Sequence, residues 1–452
     1  MSDQSSSASQ GVTALPPPDD GITHRRVLGI ALPIVLSNIT VPLLGIVDTA
    51  VVGQLGAAAP LGAVAVGAVI IATFYWLFGF LRMGTVGLAS QAKGRGDQAE
   101  VVALLMRVVL IGLGAGLCLM LLQAPLIAAA LRVAAPSEEV AGLAREYLQI
   151  RIWSAPAQIA LYGLSGWLIA QERSRAFMVL QIWMNGLNML LDLWFVMGLG
   201  WGVSGVAFAT FLAEWSGLAL GLWFCRDGFR GNGWRNWAQV LKAEALWHMA
   251  AVNGDILIRS LLLQAMFTTF TFIGARQGDV ALAANQVLLQ MLMLTSYGLD
   301  GFAFAAEKLV GQAVGARRRT ALRRAAWVTS LWGTAIAVFL SLAFWAFGGW
   351  MIDLMSSAPG VRQSARAFLP YVALVPLVGC AAFMLDGIFI GATATRDMRN
   401  MMVVSAVIYG VSLVLLLPLL GNHGLWLALL ISFVARGVTL VLRYPALEAR
   451  VA

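Results

Sequence analysis

The chain has 452 residues, of which 60% are hydrophobic and only 12% charged, and its mean hydropathy is +0.82. A water-soluble domain of that length could not cover its surface with so few polar groups, so a soluble fold is excluded and the solvent must be lipid. The formal net charge of +8 does not signal nucleic acid, because the basic residues are distributed over loops and do not gather on one soluble surface.

Residues 1–24, rich in Ser, Pro and Asp, lack a basic leader followed by an apolar core and cleavage site, and read as a disordered cytoplasmic tail. Beyond them, apolar stretches of at least the roughly 20 residues needed to cross a bilayer recur along the chain. They predict helices over 27–52, 61–92, 101–123, 141–170, 175–198 and 203–225, then 245–275, 281–312, 322–347, 364–393, 398–420 and 424–445.

The connections between these helices alternate in charge. Lys93, Arg95, Arg107, Arg173, Arg175, Arg226, Arg230, Arg235, Lys242, the run Arg317-Arg318-Arg319 with Arg323 and Arg324, and Arg396, Arg399 and Arg443 flank even-numbered connections. Odd-numbered connections carry few, chiefly Arg132, Arg145, Arg276, Arg362 and Arg366. Under the positive-inside rule both termini and the even connections face the cytoplasm.

Internal repetition sets the architecture. Gly53 and Gly274, the QAxG strings at Gln91 and Gln312, Gly166 and Gly387, and Arg175 and Arg396 each stand 221 positions apart. The expected fold is therefore an all-α polytopic membrane protein of twelve transmembrane helices in two six-helix lobes. Since six is even, the lobes share one orientation and a pseudo-two-fold axis along the membrane normal, with a cavity between them. The N-lobe is expected over 25–225, a basic cytoplasmic linker over 226–244, the C-lobe over 245–445 and a cytoplasmic tail over 446–452. Two similar lobes around a midplane cavity suit alternating access, and each chain holds its own cavity, so a monomer in the lipid bilayer is expected.

Function should then sit on ionisable groups inside the helices, each of which costs about 2.5–3.5 kcal/mol to insert. Asp48 lies late in helix 1, and Asn185, Asn188 and Asp192 follow i, i+3, i+7 spacing on helix 5. Thr210, early in helix 6, reaches a similar depth. Two carboxyl groups at one level, with no evident basic partner, suit proton binding and release better than scaffolding. In the C-lobe, Asp255 and Arg259 at i, i+4 and the neighbours Glu307 and Lys308 read equally as ion pairs or as transport groups. Asp300 and Asp386 have no local partner, and would bind a cation or substrate or share Arg259. Arg82 either snorkels or answers a carboxylate. Pro33 supplies a bend in helix 1 or simply packs.

Other chemistries find no support. No GxxxxGK[ST] loop is present for a primary pump. His24, His248 and His423, and Cys118, Cys225 and Cys380, are too scattered for a metal site, a disulfide framework or an intramembrane hydrolase. No cofactor, metal or catalytic residue is therefore assigned. A lipid-linked substrate flippase stays open as an alternative, although it would call for more cavity arginines than Arg82 and Arg259.

The strings VDTAVVGQLG and FLRMGTVGLASQAKG, the stretch around Asn188 and Asp192, and LDGIFIGATATR resemble the MATE family of multidrug and toxic-compound exporters, over about residues 25–445. Within it, FLRMGT, NGDILIRS and LDGIFIGA resemble the DinF-type branch. The resemblance implies an inner-membrane antiporter that exports small organic, often cationic or amphipathic compounds. Its N-lobe residues correspond to Asp48, Asn188, Asp192 and Thr210, with Pro33 as the bend. Other branches imply a sodium site in the second lobe that Asp255 and Asp386 would imitate. Arg259 beside Asp255 argues against it, so a proton is the expected coupling ion and sodium the alternative.

Overall fold

The protein is described here by a computed structural model covering residues 21–54, 58–230 and 233–451. Residues 1–20 of the tail expected over 1–24, and the final residue, lie outside the described residues, and His24 at the end of that expected tail already opens the first helix. Sixteen α-helices follow in chain order: α1 (His24–Gly53), α2 (Ala58–Trp76), α3 (Phe80–Gly94), α4 (Gln98–Leu121), α5 (Gln123–Ala134), α6 (Glu138–Arg151), α7 (Ala155–Ala170) and α8 (Ser174–Asp192). They continue with α9 (Gly202–Phe224), α10 (Trp237–Val240), α11 (Ala243–Ala275), α12 (Asp279–Gly315), α13 (Arg319–Met355), α14 (Pro359–Gly391), α15 (Thr395–Leu420) and α16 (Asn422–Ala449). Among the described residues there is no strand, as a bilayer demands of a chain that must satisfy its backbone hydrogen bonds within each segment.

Eleven spans in this set are long and apolar enough to cross a membrane. The sequence-predicted helix over 141–170 is interrupted: α6 ends at Arg151, a 3-10 turn runs over Ile152–Ser154, and α7 begins at Ala155. Neither half alone is long enough to span. The short α5 was not anticipated. Large apolar side chains such as Val69, Leu121, Phe339 and Val414 face outward, where hydrocarbon accommodates them.

The helix ends follow local chemistry. Thr23 caps α1 by accepting from the Arg26 amide (3.2 Å), and Asp97 caps α4 by accepting from the Glu100 amide (3.0 Å). Two boundaries differ from expectation. Residues 446–449 belong to α16 and are not a loose tail, because Glu448 is held by Arg319 and Arg323 of α13. The segment after α9 folds into two 3-10 turns, Arg226–Phe229 and Gly233–Arg235, and the single turn of α10, which dock on α4.

The 221-residue repeat reappears as symmetry of contact. A Cβ built on Gly94 of α3 would collide with the Gln312 carbonyl of α12, and one built on Gly315 of α12 would collide with the Gln91 carbonyl of α3. Gly94 and Gly315 are repeat partners, and so are Gln91 and Gln312. The same contact is thus made once from each lobe, as a two-fold relation between α3 and α12 requires, and only glycine allows the backbones to approach so closely.

Candidate functional site

In the N-lobe, α1 and α8 bring Asp48 and Asp192 together, with their carboxyl groups within hydrogen-bonding reach of each other. Asp192 is fully buried and Asp48 half-buried, and each has one oxygen, Oδ1, buried with no hydrogen-bond partner. The helical spacing on α8 works as expected. Asn188 donates to Asp192 Oδ2 (3.2 Å) and accepts from the Thr210 hydroxyl on α9 (3.0 Å) in the amide orientation that satisfies both ends. One turn earlier, Asn185 donates to Thr40 Oγ1 on α1 (2.6 Å). Asp192 is also the last α-helical residue before a π-helical stretch, Leu193–Gly198, the kind of widened turn that often accompanies a functional group.

The carboxyl pair does have a basic neighbour, contrary to the sequence expectation. Arg151, at the end of α6, lies close enough to act on both carboxyl groups. It is itself engaged by Glu214 of α9 through two parallel bonds (2.8 and 3.0 Å), and its Nη1 also donates to Ser154 (2.8 Å). The Tyr75 hydroxyl donates to the Arg151 carbonyl (2.7 Å). An internally neutral Arg–Glu pair therefore stands beside the two aspartates. Arg151 and Glu214 were visible in sequence as charges within apolar segments, the same signal that singled out Asp48.

Pro33 lies inside α1, which runs unbroken from His24 to Gly53, and Pro42, not singled out in the sequence, lies one helical stretch further on. Each removes one intrahelical hydrogen bond and leaves α1 less stiff than its neighbours.

The C-lobe charges pair differently from their sequence neighbourhood. Asp255 of α11 faces away from Arg259, accepting instead from Arg399 (2.6 Å) and the Thr395 hydroxyl (3.0 Å). Arg259 pairs with Asp386 of α14, which also meets Arg436 of α16, a residue the sequence reading passed over. Asp386 thus takes Arg259, one of the partners left open for it in the sequence, and adds Arg436, which was not expected. Residues four apart on a helix are neighbours, but charges on packed helices outcompeted them. Asp300 has no hydrogen-bond partner among the described residues, although Arg82 and Arg259 lie near enough to act on it electrostatically.

Glu307 and Lys308, adjacent in sequence, point to different partners across the lobe seam. Arg82 of α3 reaches Glu307 (3.2 Å) and covers the Phe304 ring (3.7 Å to its centre). Lys308 pairs with Glu172 in the α7–α8 turn, which also holds Arg26 of α1. Gln312 accepts from both Arg26 (2.8 Å) and Lys308 (2.7 Å). Burial opposes ionisation of Glu172, but its bonds to Arg26 and Lys308 outweigh that and bring its carboxyl down to about 2. Gln91 completes the seam by donating to the Gly391 carbonyl and to Thr393 Oγ1 (3.0 Å each). These links all lie toward the end of the bundle that carries the basic connections.

No group of three or more His, Cys, Asp or Glu side chains suited to a metal occurs among the described residues.

The MatE family model matches the chain twice, over residues 33–194 and 256–416, one match in each lobe. The chain is 42% identical over 429 residues to DNA damage-inducible protein F of Escherichia coli, covering 92% of this chain and 91% of that protein. It is 26% identical over 386 residues to a probable multidrug resistance protein NorM of Synechococcus, covering 80% of this chain and 79% of that one. Its fold matches an outward-facing multidrug resistance MATE family transporter of the MOP superfamily with a TM-score of 0.83 at 18% identity, over 94% of this chain and 96% of that structure. Two tandem family matches, the duplicated six-helix fold and the high identity to the Escherichia coli protein lead to one assignment: the chain is a multi-pass membrane protein of the MATE transporter family, in its DinF-type branch.

Proposed function

We propose that the protein is a multidrug efflux antiporter of the inner membrane, with both termini cytoplasmic, that works as a monomer by alternating access and couples export of organic compounds to proton entry. The observation that carries this reading is the meeting of half-buried Asp48 with fully buried Asp192 beside Asn188, each carboxyl group with a buried, unpartnered oxygen. Two carboxyl groups in contact away from water cost least when one proton is held between them. Loading and unloading that proton changes what Asn188, and through it Thr210, has to bond. The change is felt by α1, whose two prolines make it the readily bent member of the pair. In the cycle, proton uptake from outside rearranges this network, α1 bends and substrate leaves outward. The lobes then rock, the proton leaves to the cytoplasm and new substrate enters.

The arrangement of the C-lobe favours a proton over sodium. Asp255 and Asp386 already face guanidinium groups, and a carboxylate so occupied has little left to offer a metal cation. The name of the Synechococcus relative supports drugs as substrates.

Efflux of a fluorescent organic cation from proteoliposomes, driven by an imposed pH gradient or by an imposed sodium gradient, tests the reading. Transport driven by pH alone and lost in Asp48→Asn is the expected result. Sodium-driven transport indifferent to Asp48 would move coupling to the C-lobe, and no transport under either gradient would return the flippase reading.

A further inference from the structure

The repeat exposes a difference between the lobes. In the N-lobe, the outer surface formed by α4, α7 and α9 at the basic end is roofed by the segment that follows α9. Val240 is fully buried against Ala103 and Met106, with Phe229 and Trp234 packed beside it. Gly228 lies against Leu105 and Trp167, and Arg107 fixes the roof by donating to the carbonyls of Val240 (2.8 Å) and Gln239 (2.6 Å).

Moving 221 positions along, the same surface is formed by α13, α14 and α16. No described segment covers it. A groove of about 890 Å³ lies there, with mostly apolar walls that include Leu385, Ile388 and Val441. The positions of Val102, Ala103 and Met106 are taken by Arg323, Arg324 and Trp327. Of the nearby charges, Glu448 is occupied by Arg319 and Arg323. Arg324 is exposed, lies toward the face of Trp327 (5.9 Å) and has no carboxylate partner among the described residues. Tyr444 adds a hydroxyl to the lining.

We propose that this C-lobe groove binds an anionic phospholipid of the leaflet beside the basic loops, its phosphate at Arg324 and its acyl chains along the apolar wall. The occupant must be apolar over most of its length, since the matching N-lobe surface is filled by Phe, Trp and Val. It must also be acidic at one end, since the groove offers a guanidinium with no internal counter-ion. A bilayer lipid meets both conditions in the place where the groove opens, and basic pockets between helices at a membrane face hold such headgroups. A free phosphate would meet only the second condition.

Native mass spectrometry of the purified protein from mixed micelles of phosphatidylglycerol and phosphatidylcholine tests this. Wild type is expected to retain phosphatidylglycerol in preference, and Arg324→Glu to lose about fivefold or more of that preference. Arg230→Ala removes an exposed arginine on the same side, outside the groove, and is expected to change nothing. Trp327→Ala, a second groove variant without a change of charge, should weaken retention of both lipids. Equal retention of the two lipids by wild type, or a preference unchanged in Arg324→Glu, would overturn the proposal. So would displacement of phosphatidylglycerol by millimolar inorganic phosphate.

Discussion

Asp192 has no accessible surface, and its nearest charged groups are another carboxyl group and an arginine already bonded to Glu214. Apart from the Asn188 amide at its Oδ2, little but a proton can satisfy a group so placed, so Asp192→Asn should lose most of the pH-driven efflux. Substrate binding measured without a gradient should change far less. The Arg151–Glu214 pair is different, for its two charges balance each other through paired bonds, although Arg151 Nε is buried without a hydrogen-bond partner. Glu214→Gln leaves a buried guanidinium uncompensated, and should cost about 3–5 kcal/mol in unfolding of the detergent-solubilised protein. Combining it with Arg151→Met should recover most of that loss; no recovery would mean that the pair does more than balance charge.

Between elements, the turn joining α7 to α8 is tied through Glu172 to two further helices, α1 and α12. Glu172 meets Arg26 of α1 and Lys308 of α12, and its carboxyl is lowered from 4.5 to about 2. A carboxyl lowered by folding contributes stability that is fully present above its unfolded value and lost as pH falls through its folded value. Wild type should therefore be more stable than Glu172→Gln at neutral pH. As pH falls, the Glu172 contribution to the gap should be lost between about 4.5 and about 2. Thermal unfolding of both proteins across that range checks it, and a gap that closed near neutrality would put the titration on some other group.

For the whole molecule, the polar links across the lobe seam, from Gln91 to Thr393, Arg82 to Glu307 and Lys308 to Glu172, gather toward one end. Alternating access requires that end to open. After replacement of Cys118, Cys225 and Cys380, a disulfide between Gln91→Cys and Thr393→Cys should stop transport, and reduction should restore it. Transport that survives quantitative cross-linking would show that the two lobes need not part there.

The sequence by itself determined the solvent, the helical class, the duplication and the N-lobe polar face. Each depends on a signal carried along the chain: hydrophobic runs, a constant 221-residue offset, and the i, i+3, i+7 spacing that put Asn188 beside Asp192. Only the tertiary structure decided which charges meet. Asp255 chose Arg399 over Arg259, Glu307 chose Arg82, and Lys308 chose Glu172. The reason is physical: a helix fixes which residues share its face, while an ion pair across helices is set by packing that brings together positions far apart in the chain. The break at Ile152–Ser154 and the uncovered C-lobe groove belong to the same class, for both are fixed by what neighbouring helices leave room for.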